Sequence, residues 1–257
     1  MQLSGSGCVV LEQHEDVAVL RLDRPPANAF CLELARELAA SLDALETTHP
    51  RALVLAGTGS FFSGGLDLRE VPRYSREQQR EFLRALNRLV GRLYALPLPV
   101  VGAINGHAVA GAFVLALTTD YRVGPSRDAH FGLTEARVGI PFPAVPMLVL
   151  QAECAPQDLR WSALWARTFG PEEARRRGLL DELVEPEAVL GRALEVARDL
   201  AGMPPDGYAR IKRQIRRDAL ARIEEVVSRD LDPMLEGWLS PQAQRASAEL
   251  LDRPRRR

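Results

Sequence analysis

The chain has 257 residues, 46% of them hydrophobic and 26% charged, with a formal net charge of -1 at pH 7. That is long enough to bury a full core and too evenly charged for a disordered chain or a polyanion-coating surface, so nucleic acid is not the expected partner. The three cysteines, Cys8, Cys31 and Cys154, lie far apart in the chain; they offer neither a disulfide framework nor a metal-ligand spacing and point to free thiols in a reducing, cytoplasmic setting.

The first residues carry acids and strand-like alternation rather than a basic stretch followed by an apolar run, so no secretory leader is expected. No segment approaches the roughly 18 apolar residues of a membrane span. Residues 8–13 and 17–23 are β-rich runs on either side of "HED" and read as a hairpin. After the extended, Pro-rich "RPPANAF", residues Leu34, Leu38, Leu42 and Leu45 mark one face of a helix that stops before His49 and Pro50. "RALVLAG" is a short apolar strand ending in a glycine turn. The plan then repeats: a Gly/Ser-rich loop, a helix over residues 75–96 closed by Pro97 and Pro99, and a buried strand in "VVGAING".

"HAVAGAFVLALTTD" is small and apolar on all sides, which suits a helix in the middle of a domain. "YRVG" and "HFG" read as short strands, and from Pro143 onward the pattern is helical, over residues 156–168, 171–177, 186–201, 207–219 and 222–238. The chain thus divides into a mixed α/β core, residues 1–203, and a helical extension, residues 204–257. The extension carries Ile211, Ile215, Ile223, Val226, Val227, Leu231 and Leu235, too much apolar surface for water, and is expected to pack on its own core or on another subunit. Its terminal "RPRRR" reads as a frayed tail, and Lys212 is the only lysine among 33 basic residues.

Two glycine-bearing loops stand out. "FFSGGLDL" places Gly64 and Gly65 between an apolar run and Asp67, where glycine lets the backbone turn sharply and approach a ligand. "INGHAVAGA" leads into a helix whose first turn, Ala110, Gly111 and Ala112, has nothing bulkier than alanine, so its unpaired N–H groups face a cleft. Neither loop is a P-loop or a dinucleotide fingerprint.

"FFSGGLDL", "AINGHAVAGAFVLALTTDYRV", "FGLTEARVGIP" and "EEARRRGLLDELV" resemble, in order and spacing, the signatures of the crotonase superfamily of enoyl-CoA hydratases and isomerases. "RPPANAFCLELARELAASLDALE" and "SGGLDL" are most similar to the mitochondrial-type Δ3,Δ2-enoyl-CoA isomerases. The resemblance implies an α/β spiral of repeated β-β-α units forming two near-perpendicular sheets, a C-terminal helical trimerisation region giving a homotrimer or dimer of trimers, and a cleft for acyl-CoA or carrier-protein thioesters. It implies no cofactor beyond coenzyme A within the substrate, no metal, no nucleic acid and no membrane.

It also implies an oxyanion hole from the backbone N–H groups of Leu66 and Gly111, and a substrate-binding set of Ser63, Gly64, Gly65, Leu66, Asp67, Gly111 and Thr134. Removing a proton beside a thioester carbonyl puts charge on its oxygen, and two preorganised donors meet that need. Hydratases of the superfamily use two glutamates; here one of those positions is Val114 and the other Glu135. Two carboxylates can activate a water between them, whereas one beside an apolar wall can take a proton and return it. Leu133, Val138, Ile140 and Phe142 surround Glu135 in the sequence and are expected to raise its pKa by desolvation.

The sequence thus favours an isomerase with Glu135 as sole acid-base. A single-glutamate hydratase or an acyl-thioester decarboxylase are the alternatives on the same fold, and an RNA-binding or assembly subunit using the Arg tail is the non-enzymatic one. Prolines 141, 143 and 146 are expected to reshape the acyl pocket. Asp67 reads as a loop brace rather than an acid, His107 as structural or solvent-facing, Asp120 as structural, and Arg24 as one candidate for the CoA phosphates.

Overall fold

A hairpin opens the described part of the chain. In the computed structural model, which describes residues 2–4 and 7–252, β1 (Gln2–Ser4) pairs antiparallel with β2 (Val9–His14), and β2 with β3 (Val17–Leu22). The chain then crosses through α1 (Leu32–Thr48) to β4 (Ala52–Gly57), which runs parallel to β3. The leucine stripe of α1 is buried, and His49 ends the helix in the left-handed conformation just before Pro50.

From β4 a single plan recurs three times: a strand in the large sheet, a strand in a small sheet, then a helix. The first turn is β4, β5 (Phe61–Ser63) and α2 (Arg76–Ala95); the second is β6 (Val100–Ala103), β7 (His107–Val109) and α3 (Gly111–Leu117); the third is β8 (Tyr121–Pro125), β9 (Phe131–Gly132) and α4 (Glu135–Val138). The small sheet has the order β5-β7-β9, all parallel. Each turn of the spiral therefore delivers its loop and helix start to the same side of that small sheet. Ser75 starts α2 with a reciprocal capping box to Gln78.

Helices α5 (Ala144–Glu153), α6 (Pro156–Trp165) and α7 (Pro171–Arg176) follow, and β10 (Glu182–Val184) returns to pair parallel with β8, completing the seven-stranded order β1-β2-β3-β4-β6-β8-β10. A strand here corrects the all-helical expectation after Pro143. Likewise, residues 107–109 form β7 rather than the start of the buried helix, because a three-residue apolar run carries no readable period.

The central strands are buried on both faces, as parallel strands require. Leu20, Leu22, Leu53 and Leu55 face the main core with α1 and α2, while Val17, Val19, Ala52, Val54 and Ala56 face a second cluster covered by α8 (Val189–Ala201).

Three further helices end the described chain: α9 (Pro205–Ile215), α10 (Arg217–Arg229) and α11 (Pro241–Asp252). The expected single helix over residues 222–238 is interrupted at Asp230, which adopts φ 51°, and α11 was not anticipated. Ile223, Leu235 and Trp238 join the main core, whereas Ile211, Ile215 and Leu231 stay exposed on this chain. Asp120 ties α9 down, accepting from Lys212 Nζ at 2.7 Å and pairing with Arg216 at 3.0 Å. The Arg tail at 253–257 lies outside the described residues. Among the described residues no helix is long and apolar enough to cross a membrane, and the three cysteines are free.

Candidate active site

The first loop is zipped onto the Pro-rich segment that precedes α1. Gly64 N–H donates to Ala27 O at 2.7 Å, Phe30 N–H to Gly65 O at 2.7 Å, and Asp67 N–H to Phe30 O at 2.9 Å. Below it, the buried Asn28 amide donates to the carbonyls of Thr58, Phe61 and Phe62. Ser63 Oγ donates to Asn28 O at 2.7 Å and accepts Gly65 N–H at 3.2 Å. Every amide from 64 to 67 is thereby committed except that of Leu66, which has no acceptor among the described residues.

The second loop meets the first directly. Gly65 sits at φ +79°, and a Cβ there would lie 2.8 Å from Val109 O and 3.3 Å from Gly111 N. Ala110, the residue before α3, adopts φ 55° and ψ -131°, a conformation that costs a non-glycine residue about 1–3 kcal/mol. It is held there by its N–H donating to Gly132 O at 2.8 Å and its C=O accepting Phe113 N–H at 2.9 Å. Gly111 then opens the helix with its N–H unpaired, as first-turn amides are, and a Cβ on it would meet nothing within 4 Å. Both free amides border one cavity.

That cavity encloses about 230 Å3 and is lined by Gly64, Leu66, Gly111, Thr134 and Glu135 together with apolar side chains, among them Phe30, Leu68, Leu86, Val90, Val114, Val138, Ile140, Phe142, Trp238 and Leu250. Pro141, Pro143 and Pro146 contribute to the same wall. Glu135 is the only carboxylate among the lining residues, and its Oε2 is buried without a hydrogen-bond partner. Burial pushes its pKa from 4.5 up to about 8, against the opposing pull of backbone N–H groups at 134 and 135. It makes no ion pair among the described residues; neighbouring Arg137 turns instead to the carbonyl of Ala166. Rather than lying in a loop, Glu135 opens α4, whose end is set by Gly139 in the left-handed conformation.

Five of the expected site residues, Gly64, Leu66, Gly111, Thr134 and Glu135, thus come together. The side chains of Ser63 and Asp67 do not: Ser63 is fully buried as a brace inside the loop, and Asp67 pairs with Arg24 at 2.7 Å while capping the amides of Arg69 and Glu70. Gly65 lies behind the lining, filling the contact between the loops. Arg24 is spent on Asp67 and Glu70. His107 is outside the lining, stacked on His130 at 5.4 Å with its Nδ1 accepting the His130 N–H. Cys8, Glu33 and Glu37 form the one group of potential metal ligands among the described residues, away from the cavity lining.

Sequence reasoning named Val114, Val138, Ile140, Phe142 and the three prolines of the lining but missed Phe30, Leu68, Leu86, Val90, Trp238 and Leu250. Leu86 and Val90 are spaced as one face of α2 and could have been read from it; Trp238 and Leu250 arrive from the C-terminal region and carry no local signal.

The β-β-α spiral thus carries an apolar cavity bordered by two unpaired amides and holding one buried carboxylate oxygen. The sequence model of the enoyl-CoA hydratase/isomerase family matches residues 12–244, and the chain belongs to that family. It is 32% identical over 204 residues to a probable enoyl-CoA hydratase of Mycobacterium tuberculosis, covering 79% of this chain and 78% of that protein. It is 32% identical over 219 residues to the human mitochondrial enoyl-CoA delta isomerase 1, covering 84% and 72%. The crystal structure of human mitochondrial delta3-delta2-enoyl-CoA isomerase superposes with a TM-score of 0.89 at 28% identity, over 96% of this chain and 97% of that one.

Proposed function

We propose that this enzyme moves a double bond from position 3 to position 2 of an enoyl thioester, carried by CoA or a carrier protein, through a 1,3 proton shift. The observation that carries the reading is the pairing of Glu135 with Val114: the cavity holds one carboxylate, and the residue at the second glutamate position of the hydratases is an apolar wall. With no second acid to orient a water, proton transfer is the chemistry left to Glu135.

The Glu135 carboxylate takes a proton from C2 of the 3-enoyl thioester. The C2–H electron pair moves into the C1–C2 bond as the carbonyl π pair moves onto the thioester oxygen, and the N–H groups of Leu66 and Gly111 receive the negative charge of this dienolate. Each such donor is worth about 3 kcal/mol of barrier. The protonated Glu135 then returns its proton to C4, the oxygen recovers its carbonyl, and the 2-enoyl thioester leaves. An acid poised near neutrality suits both halves of this cycle, because it must accept and release the same proton.

The test compares conversion of 3-enoyl-CoA to 2-enoyl-CoA with hydration of 2-enoyl-CoA, using Glu135→Gln as control. Isomerisation that exceeds hydration and disappears in Glu135→Gln supports the reading; full isomerase activity in that variant refutes it.

A further inference from the structure

We propose that Arg24 is a positioning residue for catalysis, clamping the Ala29 carbonyl, Asp67 and Glu70 so that the Leu66 N–H keeps its aim into the cavity. The inference rests on the reading of Leu66 as an oxyanion donor.

The Leu66 N–H belongs to the same peptide group as the Gly65 carbonyl. In a trans peptide the two point opposite ways, so fixing the carbonyl on Phe30 N–H fixes the direction of the amide. Phe30 and Leu66 form an isolated bridge, with no continuing strand ladder on either side, while Gly64 N–H to Ala27 O and Ser63 Oγ to Asn28 O join the same segments on one flank. On the other flank, from Asp67 onward, a side-chain clamp holds the two segments together.

Arg24 does this from the end of β3. One terminal nitrogen donates to Ala29 O at 3.2 Å and to Asp67 Oδ2 at 2.7 Å, and the other to Glu70 Oε2 at 3.0 Å. Asp67 Oδ1 in turn accepts the N–H groups of Arg69 and Glu70. The circuit closes on the far side: Tyr74 Oη donates to Glu70 Oε1 at 2.5 Å and accepts Leu32 N–H at 3.0 Å. Asp67, Glu70 and Tyr74 are thus tied to segment 24–32, and the Leu66 amide lies immediately before the first of these ties. Only a planar guanidinium presents a fork to three acceptors; an ammonium is a single point donor group. The Arg24–Asp67 pair is mostly shielded from water, which keeps it from being screened as a surface pair would be.

Steady-state kinetics on 3-enoyl-CoA should be measured for Arg24→Met, Arg24→Lys, Asp67→Asn and the Arg24→Met/Asp67→Asn double variant, alongside amide hydrogen exchange over residues 61–70 of the unliganded proteins. Misaiming a donor costs the transition state more than the ground state, so Arg24→Met is expected to lower kcat about tenfold or more with KM changed by less than about twofold. Arg24→Lys should recover part of the loss, and the double variant should be no slower than its slower parent. The amides of 64–67 should exchange faster in Arg24→Met, with those of β4 and α1 unchanged. An unaltered kcat, or a rise in KM alone as expected of a residue that binds CoA phosphate, overturns the proposal. Unchanged exchange over 64–67 overturns it as well. A wild type inert toward every enoyl thioester refutes the functional reading instead, while the exchange data still decide whether Arg24 holds the loop.

Discussion

A Cβ added to Gly65 would stand 2.7 Å from the Cβ of Ala110. The two loops that supply the free amides are therefore registered by direct contact, and neither can move without the other. Gly65→Ala imposes both this clash and an alanine at φ +79°. It is expected to destabilise the fold by about 1–3 kcal/mol and, by spreading the loops, to lower kcat about tenfold or more. Denaturant unfolding and steady-state kinetics check the two effects; wild-type kcat in a folded Gly65→Ala protein would contradict the contact.

Under the proposed proton shift, Glu135 sets the pH profile. Because its pKa stands near 8, the base form is scarce in acid, and kcat/KM should rise with pH and level off above an inflection near 8. Glu135→Gln should lose about 100-fold or more of the activity together with that inflection. A flat profile between about pH 6 and 9 would show that another group carries the proton.

The same group has the opposite effect on stability. A folded-state pKa raised from 4.5 to about 8 means that the folded protein holds a proton the unfolded chain releases. The resulting stabilisation is complete below about pH 4.5 and is lost as pH rises toward 8. Glu135→Gln, which never ionises, should therefore gain on wild type as pH rises through this window. Thermal melts should show its Tm advantage widening by roughly 3 °C or more between about pH 5 and 9. A constant difference would mean that the carboxyl is not perturbed.

Val114 tests the single-carboxylate argument from the other side. Val114→Glu places a second acid on the cavity wall at a buried position. Hydration of 2-enoyl-CoA should become measurable while isomerisation falls, at a cost of about 2–4 kcal/mol for burying the acid. Purely isomerising activity in a stable Val114→Glu protein would separate the reaction choice from carboxylate number.

Trp238 lines the cavity. Its indole N–H donates to Pro141 O at 2.8 Å, and its ring lies 6.0 Å from that of Phe82. Trp238→Leu should open the cavity and raise kcat/KM for longer or bulkier acyl chains relative to short ones, with about 2–4 kcal/mol lost from packing and the unpaired carbonyl. An unchanged chain-length profile would place the acyl chain elsewhere.

What the sequence disclosed and what it hid follow from distance along the chain. The glycine loops around Leu66 and Gly111 and the apolar neighbours of Glu135 leave a local imprint in stretches of fewer than about ten residues, but the roles of these three residues came from the resemblance to the crotonase superfamily. The leucine face of α1 and the proline boundaries of α2 are local in the same way. Strands β5, β7 and β10 are too short to show alternation, and Glu135 read as loop because α4 is a single turn. Trp238 and Leu250 follow α10, which packs on α2 and α5, and α11 packs on α4; these long-range contacts have no signature at either residue. The brace role of Ser63 was hidden for the same reason: its partner Asn28 lies 35 residues away.

The lone lysine offers a practical handle. Lys212 is 8% exposed, with its Nζ donating to Leu98 O and Asp120 Oδ2, so a lysine-specific protease has a single cut site, and α9 shelters it. Cleavage would therefore time the detachment of α9 from the core, giving a single-cut gel readout of local unfolding in a protein that carries arginine at every other long-chain basic position.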